Sequence, residues 1–447
     1  MNKLTMYTAA LLLTGSVLLS GCSADSTDSP ADSDRQMQQE HRKDTDTAWQ
    51  TDSAEDADSM DDAIDINGDT IESGSAELSG NTVKITKGGT CTLSGSGKMV
   101  VVDAKGEDVT LVLDGVTLNN DTGPGIYVKQ AESLSLELRG DNAISCGDTF
   151  EYEALNAAVY SKADLSIQGE GTLTVSTGYG HGIKAKDSAV FNGNLTIDAL
   201  QDGIHVNDTA TFTGGTYRIK AASEGIESKD VLAIQDGTYD IQSADDCLNA
   251  SNSLNISGGT LDLVSQTNDA VDSNGSLTVS GGTIHALALQ TPETAFDVDN
   301  TSFVISGGTI VAAGSMGTYP TEASQPLLMA EAAGIGNVRV EKAGKTILEG
   351  NLSSDGVSRG SVVLFLSSPE MKAGDTVTVF VNGESLGEVT LEEGTSTLGT
   401  VSSMGGPGGM KGMQPENPGD MGEMQPGMMG EQPPEMPGNR NGGPKAD

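Results

Sequence analysis

The sequence predicts an all-β fold, a parallel β-helix of about 22 residues per coil followed by a small C-terminal β module. Three observations predict it. Gly215, Gly237, Gly259 and Gly282 follow one another at 22, 22 and 23 residues, with Gly308 a further 26 on. A fixed period of this size marks stacked supersecondary units rather than one globular core. Short alternating runs such as Leu254-Asn255-Ile256-Ser257 and Leu261-Asp262-Leu263 read as strands with one face in and one out, and no stretch sustains a helical period. Aromatics are 4% of the chain while glycine supplies 58 of 447 residues, which suits stacked small and β-branched side chains.

The elements follow in chain order. Residues 9–19 are apolar and lead into Leu19-Ser20-Gly21-Cys22, which looks like a bacterial lipoprotein signal: residues 1–21 are removed and Cys22 is lipidated. Lys3 is the one basic residue ahead of it. No later run reaches the roughly 18 apolar residues of a membrane span. The expectation is an extracytoplasmic protein, lipid-anchored at the cell membrane or surface.

Residues 22–63 are rich in Asp, Ser, Thr and Gln and cannot bury enough apolar surface to offset their ordering entropy, so they predict a disordered acidic linker. The β-helix is expected over 64–317. Its early coils, with Val109–Leu113, Gly125–Val128 and Leu134–Leu138, fit the period loosely, as the capped end of a solenoid should. The interval Ala143–Asn156 breaks the period and predicts a projecting loop. Gly-Gly, or Asp236-Gly237, supplies the positive φ that a corner requires.

From 318 to 402 the pattern changes to longer strands, Ser361–Leu366 and Thr376–Val381, with Asn382-Gly383 as a hairpin turn. This segment reads as a cap or accessory module. Residues 403–447 are rich in Met, Gly and Pro and predict a flexible tail, with methionine capture of copper(I) as the sharper alternative.

Asp and Glu outnumber Lys and Arg by 64 to 24, a formal charge of −40, so phosphate is repelled and nucleic acid is excluded as a partner. Beyond Cys22 stand Cys91, Cys146 and Cys247. A Cys91–Cys146 disulfide is open, and Cys247, in the slot of Gly203 and Gly225, reads as a buried small residue. No CxxC or Cys/His cluster suggests zinc.

Four coils open with an acid, a small residue and an aliphatic one: Asp202-Gly203-Ile204, Glu224-Gly225-Ile226, Asp246-Cys247-Leu248 and Asp269-Ala270-Val271. In a solenoid these acids stack at about 4.8 Å, where two carboxylates repel by roughly 3 to 4 kcal/mol at an effective dielectric near 20. Protons or cations must relieve the column. Asp245 and Asn268 adjoin it, and three residues after each opening acid a second set follows, Glu227, Asn249 and Asp272, with Asp297 in the next coil. Alternation turns this second set outward. The two rows predict metal sites at Asp202, Glu224, Glu227, Asp245, Asp246, Asn249, Asp269, Asp272 and Asp297, and Ca²⁺ suits irregular oxygen cages best. An Asp before Gly that merely shapes a corner and faces water is the competing reading.

Toward the N-terminal side the edge turns basic, at His181, Lys184 and His205. Lys184, His205, Lys229 and Tyr179 are candidate contacts to an anionic sugar, with Tyr160 also open to it, whereas Tyr217 and Tyr239 share the inward parity of their neighbours.

At Asn156–Ile167, Gly169-Glu170-Gly171-Thr172-Leu173, Gly182–Asp187 and the Asp-Gly-Ile coils, the chain resembles the secreted bacterial carbohydrate-binding β-helix proteins related in fold to calcium-dependent pectate lyases. The likeness runs from about Asp65 to Gly317. It implies a right-handed parallel β-helix, calcium held by the coil-opening acids, carried onto Asp202, Glu224, Asp246 and Asp269, and affinity for plant cell-wall polysaccharide of the polygalacturonate or cellulose type. Glu224 replaces an Asp and Cys247 a Gly of that pattern. Three readings remain: a calcium-dependent polysaccharide-binding lipoprotein, a pectate lyase with a base among Lys184, Lys186, Arg218, Lys220 and Lys229, and an adhesive surface protein in which calcium only stiffens the solenoid.

Overall fold

The computed structural model describes residues 65–67, 76–298, 302–353 and 360–401. Cys22, the signal, the linker and the Met-rich tail lie outside the described residues. Every regular element among the described residues is a strand.

Each coil alternates a short strand with a long bent one. The short strands run from Thr82–Ile85 through Ile126–Gln130, His181–Ala185, Ile204–Val206, Ile226–Ser228, Leu248–Ala250 and Val271–Ser273 to Phe296–Val298. They stack in parallel, one per coil, in a solenoid of about 10 turns spaced about 23 residues apart. The long strands form the rest of the wall. Asp164–Thr177, Ala189–Ala199, Ala210–Ala221 and Val231–Ser243 each run unbroken through the glycine corner, while later coils divide there, as in Ser253–Ile256 and Thr260–Ser265.

The corner is therefore a bend inside a strand in the middle coils. Gly215 takes φ 95° and Gly237 φ 118°, left-handed backbone that a side chain disfavours. A Cβ on Gly215 would also stand 2.1 Å from the Gly193 carbonyl of the coil beneath.

Inside, like stacks on like. Ile183, Ile204, Ile226, Leu248, Val271 and Phe296 form one column, all buried. Phe191 stacks on Phe212 at 4.6 Å and Tyr217 on Tyr239 at 4.8 Å. Both tyrosines are inward, as alternation predicts, and their hydroxyls donate to the Gly214 and Asp236 carbonyls at the corner, satisfying the one polar atom they bury.

The small slot after each opening acid is set by the residue opposite. A Cβ on Gly203 or Gly225 would lie 2.3 or 2.4 Å from Cγ2 of Ile219 or Ile241. One coil on, the register puts Leu263 and then Ala286 in that place. Neither is branched at Cβ, so Cys247 and Ala270 fit. Cys91, Cys146 and Cys247 are all free and buried; no Cys91–Cys146 disulfide forms, and burial pushes the three thiols up to about 11, 12 and 12.

The expected loop at Ala143–Asn156 is shorter than the lost period suggested. Asp141–Cys146 is a wall strand paired with Thr172–Thr177, and Phe150 folds back, buried, against Tyr179.

The two ends of the solenoid are closed differently. At the start, Asp65–Asn67 and Ala76–Ser79 add antiparallel strands, which breaks the parallel edge. At the other end Val362–Ser367 pairs antiparallel with both Thr309–Gly314 and Leu327–Ala332, and Thr395–Leu398 lies parallel to Leu327–Ala330. A four-stranded antiparallel sheet, Lys345–Asn351, Asn337–Lys342, Thr376–Val381 and Glu384–Thr390, covers the outer face there. Its turn at Asn382-Gly383 has φ 51° and 84°, as the hairpin signal predicts.

This segment shares a core with the solenoid rather than owning one. Val338, Val340, Val377 and Val379 pack with Leu287, Val311 and Ala313 of the last coils. The outward wall column accordingly changes along its length: Ser176, Asp198, Lys220 and Gln242 give way to Val264, Leu287 and Ala313.

Candidate functional site

The opening acids stack as the period predicts. Their column continues His181, Asp202, Glu224, Asp246, Asp269 and ends at Thr294, each residue two before the aligned apolar residue of its short strand. Asp202, Asp246 and Asp269 are only 3%, 2% and 4% exposed and Glu224 is partly exposed. A carboxylate shaping a corner and facing water is therefore excluded for these Asp residues. Asp246 Oδ1 accepts the Asp269 amide at 3.0 Å, and Asp269 Oδ1 accepts the Thr294 amide at 2.6 Å. Each acid thus ties its coil to the next.

The second row aligns Tyr160, Lys184, His205, Glu227, Asn249, Asp272 and Asp297. Its parity is outward, yet Tyr160, Lys184, His205, Glu227 and Asn249 are buried, and Asp272 and Asp297 are partly exposed. Side chains stacked at strand spacing shield one another and bond across the columns. His205 Nδ1 stands 2.8 Å from Asp202 Oδ2 and 2.7 Å from Glu227 Oε2. Asn249 Nδ2 donates to Asp246 Oδ2 at 2.9 Å and to Asp272 Oδ2 at 3.1 Å. The two rows are one network, not two flanks of an open edge.

Two groups of three ligand atoms converge within 4.8 Å among the described residues: His181, Asp202 and His205, and Asp202, Glu224 and Glu227. Asp245, Asp246, Asp269, Asp272 and Asp297 do not draw together in this way. They are held instead by amides, including Asn268 Nδ2 on Asp245 Oδ1 at 2.7 Å and Asn274 Nδ2 on Asp272 Oδ2 at 3.2 Å.

Electrostatics divides the column. Burial pushes the Asp202 carboxyl up, but the neighbouring His181 charge and hydrogen bonds from His205 and Glu224 outweigh it, and Asp202 lies well below the usual carboxylate range. Burial lowers His181. Burial opposes charge on His205 too, but its bonds to Asp202 and Glu227 raise it. Glu224 is pushed up to about 9 by burial and by Asp202. Burial, then Asp272, Asp245 and Asp269, push Asp246 well above its ordinary value. Asp269 rises to about 8, chiefly by burial, with Asp297 and Glu293 adding to it.

The sugar-contact candidates fare unevenly. Lys184 is 8% exposed and His205 9%, and Lys184 Nζ donates to Asn156 Oδ1 at 3.3 Å, so neither presents itself to solvent as expected. Tyr160 is buried edge-on to Tyr127 at 6.0 Å. Tyr179, partly buried, packs on Phe150 at 4.8 Å. Lys229 is exposed and ion-paired to Glu227. Arg218 and Lys220 do face outward, on the flat wall beside Thr196, Asp198, Asp240 and Gln242. The exposed large apolar side chains among the described residues are Leu78, Tyr152, Val190 and Leu200, which is no aromatic platform for sugar rings.

Sequence reasoning left His181 outside the metal set. Register is the signal that finds it, because His181 precedes Gly182-Ile183 just as Asp202 precedes Gly203-Ile204.

Known proteins share this solenoid stretch. Residues 79–317 match the family model of carbohydrate-binding domain-containing proteins. A carbohydrate-binding domain-containing protein of Acetivibrio thermocellus is 36% identical over 145 residues, 30% of this chain and 50% of the relative. The chain thus spans about half the length of that curated relative. The gadolinium derivative of the polysaccharide lyase-like protein from C. thermocellum is 30% identical, covers 49% of this chain and 97% of its own, and superposes with a TM-score of 0.45.

Proposed function

The chain belongs to the family of carbohydrate-binding domain-containing proteins, and from that premise we propose that it is a cell-surface lipoprotein that binds acidic polysaccharide through a calcium-loaded solenoid edge. The observation that carries the reading is a coincidence: the family match, 79–317, is the stretch whose coils stack the buried acids. The curated relative is likewise described as a carbohydrate-binding domain-containing protein.

The residues of the C-terminal half of the ladder fit calcium. Asp245, Asp246, Asp269, Asp272 and Asp297 offer only oxygen, and Asn249 between Asp246 and Asp272 offers its carbonyl if the amide turns over, since the two ends of an amide have nearly one shape. Burial and neighbouring acids push Asp246 and Asp269 up, the direction that a buried column of carboxylates takes when no cation relieves it. Calcium would relieve the column and supply positive charge toward a uronate carboxylate, allowing a protein of net charge −40 to hold an anionic chain. Exposed Arg218 and Lys220 on the wall supply further cationic contacts. Residues 1–21 as signal and Cys22 as anchor complete the reading.

The test combines a melt with a pull-down. With calcium in place of chelator, the wild-type chain should gain about 2.7 kcal/mol at a hundredfold excess over Kd, and Asp246→Ala should lose the gain. Binding to polygalacturonate should need calcium and release no unsaturated sugar. Release of unsaturated product would instead establish a lyase. A melt indifferent to calcium and to Asp246→Ala, with polysaccharide captured equally in chelator, would end the calcium reading.

A further inference from the structure

The N-terminal end of the ladder carries donors that calcium does not favour. From the convergence of His181, Asp202 and His205, with Glu227 against His205, we propose a second metal site, for a divalent first-row transition ion, with zinc as the reference ion. Calcium selects oxygen, whereas imidazole nitrogen with carboxylate oxygen is the ligand chemistry of zinc and its neighbours.

Four observations carry it. His181 Nδ1 is 3.1 Å and His205 Nδ1 2.8 Å from the same atom, Asp202 Oδ2. The two rings face each other with centroids 4.6 Å apart, so both nitrogens approach one point from adjacent coils. His181 is 7% exposed, and its Nδ1 finds no aligned hydrogen-bond partner despite that nearby carboxylate. A buried ring nitrogen that lies beside a carboxylate with its own bonding direction unfilled is placed as a ligand would be. His205 Nδ1 also sits 2.7 Å from Glu227 Oε2, yet a single N–H cannot donate well to Asp202 and Glu227 together.

Ligand atoms around a tetrahedral zinc with bonds of 2.0–2.1 Å stand about 3.3 Å apart. The His181–Asp202 and His205–Asp202 separations of 3.1 and 2.8 Å are slightly shorter than those of such ligand pairs. Opening by about half an ångström admits the ion. Lys229 holds the other oxygen of Glu227 and so steers Oε2 inward. Glu224, the partly exposed member of the adjoining triad with Asp202 and Glu227, can supply a further oxygen.

The site stands or falls independently of calcium at Asp246. The full-length chain, stripped with chelator, is titrated with zinc alone and with calcium alone, and metal content is measured after dialysis. Wild type should retain one zinc. His181→Asn and His205→Gln should each weaken zinc at least roughly tenfold and leave the calcium-dependent melt untouched, while Asp246→Ala should do the reverse. Should the His variants fail to fold, X-ray absorption at the zinc edge of the wild-type chain still decides, with imidazole scattering expected. No zinc retained by wild type, equal retention by both His variants, or an all-oxygen zinc shell would overturn the proposal and leave a buried His–Asp–His–Glu cluster.

Discussion

Asp202 and Asp269 stand in one column three coils apart, both almost wholly buried, yet their carboxyls move in opposite directions. Burial raises each, and the neighbours decide the outcome. Asp202 has two imidazoles within 3.1 Å and keeps its charge. Asp269 faces backbone amide on one side and Asp297, Glu293 and Asp245 on the other, and it keeps its proton. The lesson is that a repeated motif does not repeat its chemistry. Coil geometry is copied from turn to turn, but each titratable group answers to the charges in the coils above and below.

A pH profile of the metal-free chain should show the largest effect. Glu224 and Asp269 have folded-state values near 9 and 8, above their ordinary carboxylate values. Folding therefore holds protons that the unfolded chain releases. Their contribution to stability is full below about pH 4 and is lost as pH rises through 8 to 9, with a slope approaching 1.4 kcal/mol per unit for each carboxyl, roughly. Asp202, shifted down, runs the other way, with stability present above its unfolded value and lost on acidification. Urea unfolding from pH 5 to 9 should give falling stability in chelator and a flatter profile in saturating calcium. A chelator profile that rises with pH would break the comparison.

Substitution comes next in size. Asp202→Asn removes the one anion shared by two buried imidazoles and should cost about 3 to 5 kcal/mol at neutral pH. Asp269→Asn replaces a carboxyl that is already neutral by a group of similar shape, so in chelator it should shift stability by no more than about 1 kcal/mol, measured by the same unfolding curves. Equal losses for the two would mean that the ends of the column are chemically alike.

The solenoid was legible because its signals are local and repeated. Gly215 and Gly237 mark the bends by their positive φ, the alternation around Tyr217 and Ile219 assigns inside and outside, and the Asp-Gly-Ile register stacks the acids. Elsewhere the same rules misled for physical reasons. Outward parity did not expose Lys184, His205 or Glu227, since stacked polar side chains bury each other. The segment after residue 318 reads as a cap or accessory module, and Val264, Leu287 and Val311 make the last coils its floor, as a cap requires.

By itself the sequence determined the coil, its period and the column in which each acid stands, because backbone φ and side-chain alternation depend on a few neighbouring residues. Tertiary structure alone decided which acids are charged, which meet imidazole and which meet only one another. Those outcomes depend on separations of about 3 Å between residues more than 20 positions apart, and an electrostatic term that varies so steeply with distance and burial is settled only once the coils are stacked.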